Sequence, residues 1–286
     1  MLSQFLRPYI GLTDMTDYMF SGNSNYNSLQ VSLNRRFTGG LMLGISYTRS
    51  KCMDTTDTFT TAIRFDSNTH TGLYGPCGFD VPSNFVANYV YPFPKFASWV
   101  KAGNNGIAKA FLNDWQISGQ TSFLSGTPFT PGFSVAGAYG VNFTGTPSWG
   151  PALLCVRDPR TGTSDSPYNR LNVAAFALPA VGSIGLGCSR NLVYGPGTND
   201  WDMSLQKNVP LKERARLLLR GEAFNVFNHT QFSGVRSSLT YGSITNPVPT
   251  NLPYNSSGQL VNINGFGTVS GVRAARVLQL VAKFEF

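Results

Sequence analysis

The last thirteen residues, Ala274–Phe286, constrain the fold of this chain more than any other stretch. Apolar residues occupy every second position, a period of two that is typical of a β-strand with two different faces. The apolar positions are Leu278, Leu280, Ala282, Phe284 and Phe286. Such alternation fits either an edge strand of a soluble β-sandwich or a strand of a membrane β-barrel. The rest of the chain distinguishes the two.

The composition favours strands that are apolar on one face and wet on the other. Charged residues make up only 13% of the 286 residues, about half the usual share, and aromatic residues make up another 13%. No run of eighteen apolar residues occurs, so the sequence predicts no transmembrane helix. The net charge of +8 suits nucleic acid or anionic lipopolysaccharide. Because the basic residues are scattered rather than clustered, we expect no nucleic-acid partner.

Six further stretches alternate in the same way and predict strands. They are Tyr26–Phe37, Leu41–Ser50, Phe85–Phe93, Leu112–Leu124, Trp201–Val209 and Ala215–Val226. Thr38–Gly40 is predicted to be a three-residue hairpin loop, and Pro210–Arg214 a tight turn. Residues 94–111 form a connection of medium length, and residues 51–84, 125–198 and 229–272 are long and without periodicity.

The order of these connections favours a membrane barrel. Counted back from the C-terminus they run long, short, long, medium, long, short, so the three long loops fall at one end of the strands. Outer-membrane barrels have short periplasmic turns and long extracellular loops. A structureless stretch as long as residues 125–198 also argues against a compact soluble domain.

Several segments, in order, resemble the C-terminal barrel of TonB-dependent outer-membrane receptors, and most closely the Oar-like receptors of acidobacteria. They are SNYNSLQVSLNRRFTGGLMLGISYTRSK, LNDWQISGQTSFLSGTPF, NRLNVAAFALPAVGSIG, GPGTNDWDMSLQKNVPL, LLLRGEAFNVFNHTQF and FGTVSGVRAARVLQLVAKFEF. The resemblance implies a barrel of about 22 strands with an N-terminal plug and a TonB box. About seven strands are recognisable here, so we expect the C-terminal fragment of a longer receptor. Residues 26–286 would be the C-terminal part of the barrel domain, and residues 1–25 a loop or strand remnant.

The resemblance also sets expectations for function. The whole receptor would lie in the outer membrane of a Gram-negative cell, bind a scarce solute and import it with energy from the inner membrane. The alternative is an outer-membrane barrel that displays its loops for adhesion, without uptake. Expected partners are outer-membrane lipid and lipopolysaccharide, the barrel-assembly machinery that reads the terminal strand, the missing plug and strands, and TonB through the missing N-terminal region. The substrate stays open.

Two sets of residues are candidates for sites. The four cysteines lie two to a long loop, and the local pairing Cys52–Cys77 with Cys155–Cys188 is one of three possible disulfide connectivities. Alternating polar residues are expected to face the lumen, either to contact a plug or solute or as a salt-bridge ladder. They are Gln116, Gln120, Arg216, Arg220 and Glu222.

The loops hold further residues whose role the sequence leaves open. The aromatic residues Phe129, Phe133, Tyr139, Phe143 and Trp149 fit either ligand contact or packing of the loop against itself. The paired carboxylates Asp14, Asp17, Asp54 and Asp57 fit either solvated loop charges or Ca²⁺ ligands, although they lack the spacing of an EF-hand. The two histidines, His70 and His229, lie in different loops and lack the spacing of a metal site. No GxSxG, HExxH or P-loop signature occurs, so we expect no enzyme, catalytic residue, metal or cofactor.

Overall fold

The computed structural model describes residues 22–56, 74–99, 106–137, 143, 152–164, 166–182, 188–212 and 215–286. Most of the expected remnant at residues 1–25 therefore lies outside the described residues, although its last two residues belong to the first strand. None of the described helices is long and apolar enough to cross a membrane.

Seven long strands form one antiparallel sheet in which each strand pairs with its neighbours in sequence. They are β1 (Ser24–Arg36), β2 (Met42–Asp54), β3 (Ser83–Pro92), β4 (Trp115–Leu124), β5 (Thr198–Lys212), β6 (Ala215–Phe224) and β7 (Val277–Glu285). A two-residue strand, Gly75–Pro76, pairs with the last residues of β2. The prediction of an antiparallel all-β sheet of long strands is confirmed.

The sheet is open across the part of the chain that the structure describes. β1 pairs only with β2, and β7 pairs only with β6, from Arg216 opposite Glu285 to Phe224 opposite Val277. We call the end of the strands that carries the three long connections the loop end, and the opposite end the turn end. The strand ends Ser24, Asp54, Ser83 and Leu124 lie at the loop end.

The registers give the sheet one apolar and one polar face, because residues directly opposite each other on neighbouring strands share a face. One row of the apolar face runs Leu33, Ile45, Ala87, Thr121, Trp201 from β1 to β5. One row of the polar face runs Asn34, Gly44, Asn88, Gln120, Asp202 across the same strands. The alternation read strand by strand therefore adds up to two continuous surfaces.

At the turn end, one connection is as predicted from the sequence and two differ from the prediction. In the β1–β2 hairpin, Phe37 donates to the Leu41 carbonyl at 2.8 Å, and Gly40 has a φ of 85°, which favours glycine. Between β3 and β4 the chain forms a 3₁₀ turn, Phe96–Ser98, and an α-helix, Gly106–Leu112, so Leu112 ends a helix instead of beginning a strand. A short apolar run fits either element, and spacing alone does not separate them.

The strand β5 is longer than its periodicity indicates. It continues through Pro210 to Lys212, with an irregularity in the β5–β6 register between these two residues. The predicted turn at residues 210–214 is therefore shorter than expected, and residues 213–214 lie outside the described residues. Proline lacks an N–H and so interrupts the ladder of hydrogen bonds, which is a common cause of such bulges.

The long connections contain the hydrophobic core, and the prediction of a structureless stretch was wrong for the described parts of residues 125–198. Four two-stranded sheets form there and in residues 229–272. Their pairs are Pro128–Phe129 with Val193–Tyr194, Gly132–Val135 with Ser238–Tyr241, Leu154–Cys155 with Phe176–Ala177, and Phe232–Val235 with Val269–Val272. We call the described residues of 128–135, 143, 152–194 and 232–272 the loop cap.

Candidate functional site

The apolar face is exposed although it is made of large hydrophobic side chains. Leu280 of β7 is 89% exposed and Phe286 is 98% exposed, and Leu33 of β1 is 52% exposed. Burying one such side chain contributes about 1.5–3 kcal/mol, so an apolar face this wide requires an apolar surrounding.

Two chains of contacting aromatic rings mark the two ends of this face. At the loop end Phe85, Phe123, Trp201 and Phe227 follow one another with ring centroids 5.7, 5.8 and 5.6 Å apart. At the turn end Tyr91, Phe93, Phe96 and Trp99 follow one another at 5.5, 6.0 and 5.5 Å. We call these the loop-end and turn-end aromatic chains.

The spacing of the aromatic chains fits a bilayer. Phe123 belongs to the loop-end chain, and Trp115 stands level with Phe93 of the turn-end chain, whose N–H donates to the Trp115 carbonyl at 2.8 Å. Phe123 and Trp115 sit at opposite ends of β4, about 26 Å apart along the strand at roughly 3.3 Å per residue. A tilt of about 40° reduces this to about 20 Å of depth, comparable with the apolar band of about 25 Å between aromatic girdles. Trp115 also donates from Nε1 to the carbonyl of Phe111 at 2.8 Å, which ties the helix Gly106–Leu112 to the same end.

The terminal strand contributes its predicted residues to the apolar face. Leu278 lies opposite Ala223, Leu280 opposite Gly221, Ala282 opposite Leu219 and Phe284 opposite Leu217. The Phe284 and Phe286 rings lie 5.9 Å apart at the turn end.

The polar face brings together the residues that were expected to line a lumen. Gln116, Gln206 and Arg220 lie in one row across β4, β5 and β6. Gln120 lies opposite Asp202, and Glu222 lies opposite Ser204. Arg216 of β6 lies opposite Glu285 of β7. All five expected residues therefore share the polar face.

Ion pairs and hydrogen bonds order this face, two of them within single strands and two of them, Arg216–Glu285 and Ser118–Ser204, between neighbouring strands. Arg220 contacts Glu222 at 2.5 Å, Arg216 pairs with Glu285, and Lys283 contacts Glu285 at 2.8 Å. The hydroxyl groups of Ser118 and Ser204 lie 2.7 Å apart. A trough of about 700 Å³ runs along this face, lined by Asn34, Asn88, Gln120, Asp202, Arg220 and Glu222 among others. The polar face is therefore a water-exposed wall whose side chains are held in place by ion pairs and hydrogen bonds.

The loop cap has an interior of its own. Leu153, Leu239, Tyr241 and Phe266 are fully buried within it. The Phe133 ring packs against Phe143 at 5.6 Å and against Tyr241 at 6.2 Å, and the Phe176 ring packs against Phe266 at 5.5 Å. Of the five loop aromatics left open by the sequence, Phe129, Phe133 and Phe143 pack within the cap, and Tyr139 and Trp149 lie outside the described residues.

Two disulfides are present; three of the four cysteines lie in the long loops as expected, whereas Cys52 lies at the end of strand β2. Cys52 is bonded to Cys77 and Cys155 to Cys188, with Cα–Cα distances of 5.4 and 4.9 Å. Cys188 belongs to the core of the loop cap, and Cys155 packs against that core. Cys52 is one of the two buried residues at the loop end of β2. The Cys52–Cys77 disulfide therefore holds the first long loop to the sheet.

The sequence did not point to the polar contacts that join the loop cap to β2 and to the first long loop. Arg190 pairs with Asp54, whose side chain is only 6% exposed. Asn191 donates from Nδ2 to the Pro76 carbonyl at 2.8 Å, and the Tyr194 hydroxyl donates to Asp80 Oδ2 at 2.9 Å. Asp54 was predicted as a solvated loop charge or cation ligand, and instead its carboxylate neutralises a partly buried arginine.

Burial and hydrogen bonds change the pKa values of several side chains of the loop cap. Burial and the hydrogen bond to Asp80 raise the pKa of Tyr194 to about 12, and burial lowers the pKa of Arg190. Burial also raises the pKa of Tyr241. At the cap surface, hydrogen bonds from Arg160 lower the pKa of Asp158 to about 2.

Metal ligands do not cluster in the described part of the chain, where no group of three or more His, Cys, Asp or Glu side chains could hold an ion. Of the other residues considered as ligands, Asp14, Asp17, Asp57 and His70 lie outside the described residues. His229 accepts a hydrogen bond at its backbone carbonyl from Asn225 at 3.3 Å.

An antiparallel sheet with an exposed apolar face, two aromatic girdles and a polar opposite face is the wall of a membrane β-barrel. Residues 2–279 match the family model described as an outer membrane beta barrel domain. The chain belongs to this family of outer-membrane β-barrel domains, and its place is the outer membrane. Searches of curated proteins and of solved structures found no significant match. The apolar face is thus the lipid face, and the loop end is the extracellular end.

Proposed function

We propose that this chain is the C-terminal part of the barrel of a TonB-dependent, Oar-like receptor. The whole receptor binds a scarce solute outside the cell and imports it with energy from the inner membrane. In this proposal the chain has no catalytic role. A plug, a TonB box and further barrel strands belong to the same receptor.

The polar face is the observation that carries the proposal. Small eight-stranded barrels fill their interior with packed side chains, whereas larger barrels enclose water or a plug. The polar face here carries ion pairs and a trough of about 700 Å³ across β1 to β6, which suits a plugged or water-filled lumen. β1 and β7 each have one partner among the described strands, and lipid does not tolerate open sheet edges, which supports a proposal in which additional strands complete the barrel.

The direct test of import is energy coupling. The full-length protein, purified in detergent, would be immobilised and exposed to the periplasmic domain of TonB from the same organism. We expect saturable binding that strengthens when a transported solute is present. Absence of binding in both conditions, with the protein shown to be folded, would exclude TonB-dependent import.

Surface display is the second candidate, and the loop cap favours it. Two long loops that share a disulfide-linked core make a stable platform for contact with another surface. Cells that carry the protein, and cells in which residues 128–135 and 152–194 are replaced by a short linker, would be compared for attachment and for solute uptake. Loss of attachment with unchanged uptake would favour display over import.

A further inference from the structure

The trough on the polar face is crossed by a row of carboxamide side chains. Asn34 of β1, Asn88 of β3 and Gln120 of β4 lie in one register row, which we call the amide row. Gly44 lies between the first two, and Asp202 of β5 ends the row. Neighbouring strands lie about 4.8 Å apart, so the row spans about 19 Å from β1 to β5. Because Gly44 has no side chain, the row is a shallow groove with amides along it.

The side chains of the amide row are exposed, and none of the three hydrogen-bonds to another described residue. Amides elsewhere in the molecule are used to hold the chain together. Asn191 donates from Nδ2 to the Pro76 carbonyl at 2.8 Å, and Asn251 donates from Nδ2 to the Ser238 carbonyl at 2.9 Å. A carboxamide offers two donor hydrogens and one acceptor oxygen. The amide row therefore keeps this capacity for a molecule in the lumen.

The charged groups that the polar face brings into the trough balance one another. Arg220 contacts Glu222 at 2.5 Å. The other two charges are Arg36 and Asp202, of opposite sign, and Asp202 Oδ1 also accepts a hydrogen bond from the Asn225 N–H at 3.0 Å. A charged solute would give up its hydration here without gaining an unpaired counter-charge, and such desolvation is costly. The trough therefore favours a polar solute without net charge.

One aromatic side chain stands on the polar face at the loop end of the trough. Phe224 is the last residue of β6, lines the trough and is 43% exposed. The two aromatic chains lie on the opposite face of the sheet. The face of an aromatic ring carries partial negative charge, so it attracts the C–H groups on the flat side of a sugar ring. Phe224 thus adds a stacking surface at the end of the trough that a solute from outside the cell reaches first.

We propose that the trough binds an uncharged oligosaccharide. The amide row exchanges hydrogen bonds with the sugar hydroxyl groups, which both donate and accept as the amides do, and Phe224 stacks against a sugar ring. The trough volume of about 700 Å³ lies within the range of small-molecule sites, about 300–1,000 Å³. The inference rests on the proposed import function and names the class of solute that the receptor takes up.

The test measures solute binding to the full-length protein in a non-ionic detergent by isothermal titration calorimetry. The probes are uncharged trisaccharides of glucose, mannose, galactose and xylose, and the charged comparison solutes are trigalacturonic acid and ferric citrate. We expect at least one trisaccharide to bind about tenfold more tightly than either charged solute. Its affinity should be the same at low and at high salt, because no charge of the solute takes part.

Paired variants locate the binding in the trough. N88A/Q120A removes two amides of the row and should weaken trisaccharide binding about tenfold. The control Q30A/Q206A removes two amides of the polar face that do not line the trough, and it should change the affinity by less than about twofold. Phe224→Ala should weaken binding about fivefold, and Phe224→Tyr, which keeps the ring, should bind like wild type.

Three results would each overturn the proposal: binding of none of the trisaccharides, equally tight binding of a charged solute, or equal loss in N88A/Q120A and Q30A/Q206A. Heat-modifiable migration on a denaturing gel checks folding, and if N88A/Q120A does not fold, the single variants replace it, each with about threefold weaker binding expected. Binding of the periplasmic domain of TonB is measured in parallel. TonB binding without trisaccharide binding would overturn the solute class and leave import standing, whereas trisaccharide binding without TonB binding would support the site and exclude TonB-dependent import.

Discussion

Gly119 of β4 is the position where one added methyl group tests the packing of the barrel wall most sharply. It lies opposite Tyr89 of β3 on the lipid face. A Cβ atom built there would lie 2.6 Å from the Tyr89 hydroxyl oxygen, 2.8 Å from Tyr89 Cζ and 2.6 Å from the Asp202 carbonyl oxygen. Ordinary contact begins near 3.4 Å, so these atoms are too close by about 0.8 Å.

The expected cost follows from which atoms can move. The Tyr89 ring can rotate away, but the Asp202 carbonyl belongs to the β4–β5 ladder and cannot shift without loosening hydrogen bonds. Overpacking of this kind costs about 1–3 kcal/mol. We therefore predict that Gly119→Ala lowers the free energy of unfolding by about 2 kcal/mol, roughly a thirtyfold change in the folding equilibrium.

Gly221→Ala is the matched control. Gly221 lies on the same face of β6, and a Cβ atom there would meet only Leu280 Cδ2 at 3.6 Å, so the change should stay within about 0.5 kcal/mol. The assay is urea unfolding of the full-length protein in lipid vesicles, followed by tryptophan fluorescence. Equal midpoints for the two variants would refute the reasoning. Full recovery of Gly119→Ala by Tyr89→Ala would show that the ring, and not the strand backbone, is the obstacle.

Three further changes test the loop cap and the terminal strand. Replacing both Cys155 and Cys188 by serine should cost the cap about 2–4 kcal/mol, since the disulfide closes a loop between residues 33 apart, and limited proteolysis should then cut the cap. The Tyr194 phenol should ionise near pH 12 instead of 10, so Tyr194→Phe should remove an absorbance change centred there, and Asp80→Asn should keep most of the shift because burial is the larger cause. Deleting Phe286, which is 98% exposed on the lipid face, should lower the folded fraction in the outer membrane, measured by heat-modifiable migration.

Each of these three predictions has an outcome that would contradict it. Unchanged protease resistance of the serine variant would mean that the core holds the cap without its disulfide. Because the folded-state pKa of Tyr194 is raised, its contribution to stability is complete below pH 10 and is lost as the pH rises toward 12. Loss of the cap contacts below pH 9 would contradict that assignment. Normal assembly without Phe286 would remove the terminal aromatic residue from the assembly signal.

The strands, their faces and the side of the membrane on which the long loops lie could be read from the sequence. Alternation with a period of two is a local property, because each residue faces the opposite side from its neighbour whatever the rest of the chain does. The apolar residues of Val277–Glu285 were therefore assigned to the right face before any partner strand was known. The order of short and long connections then followed from the number of residues between the predicted strands.

The loop cap could be decided only by the tertiary structure. Gly132–Val135 pairs with Ser238–Tyr241 more than a hundred residues away, and the buried Leu153, Leu239 and Phe266 come from segments without periodicity. Such contacts depend on which distant segments meet, and no local pattern records that. The same reason applies to the ion pair between Arg190 and Asp54, because it depends on the loop cap folding back onto the end of β2.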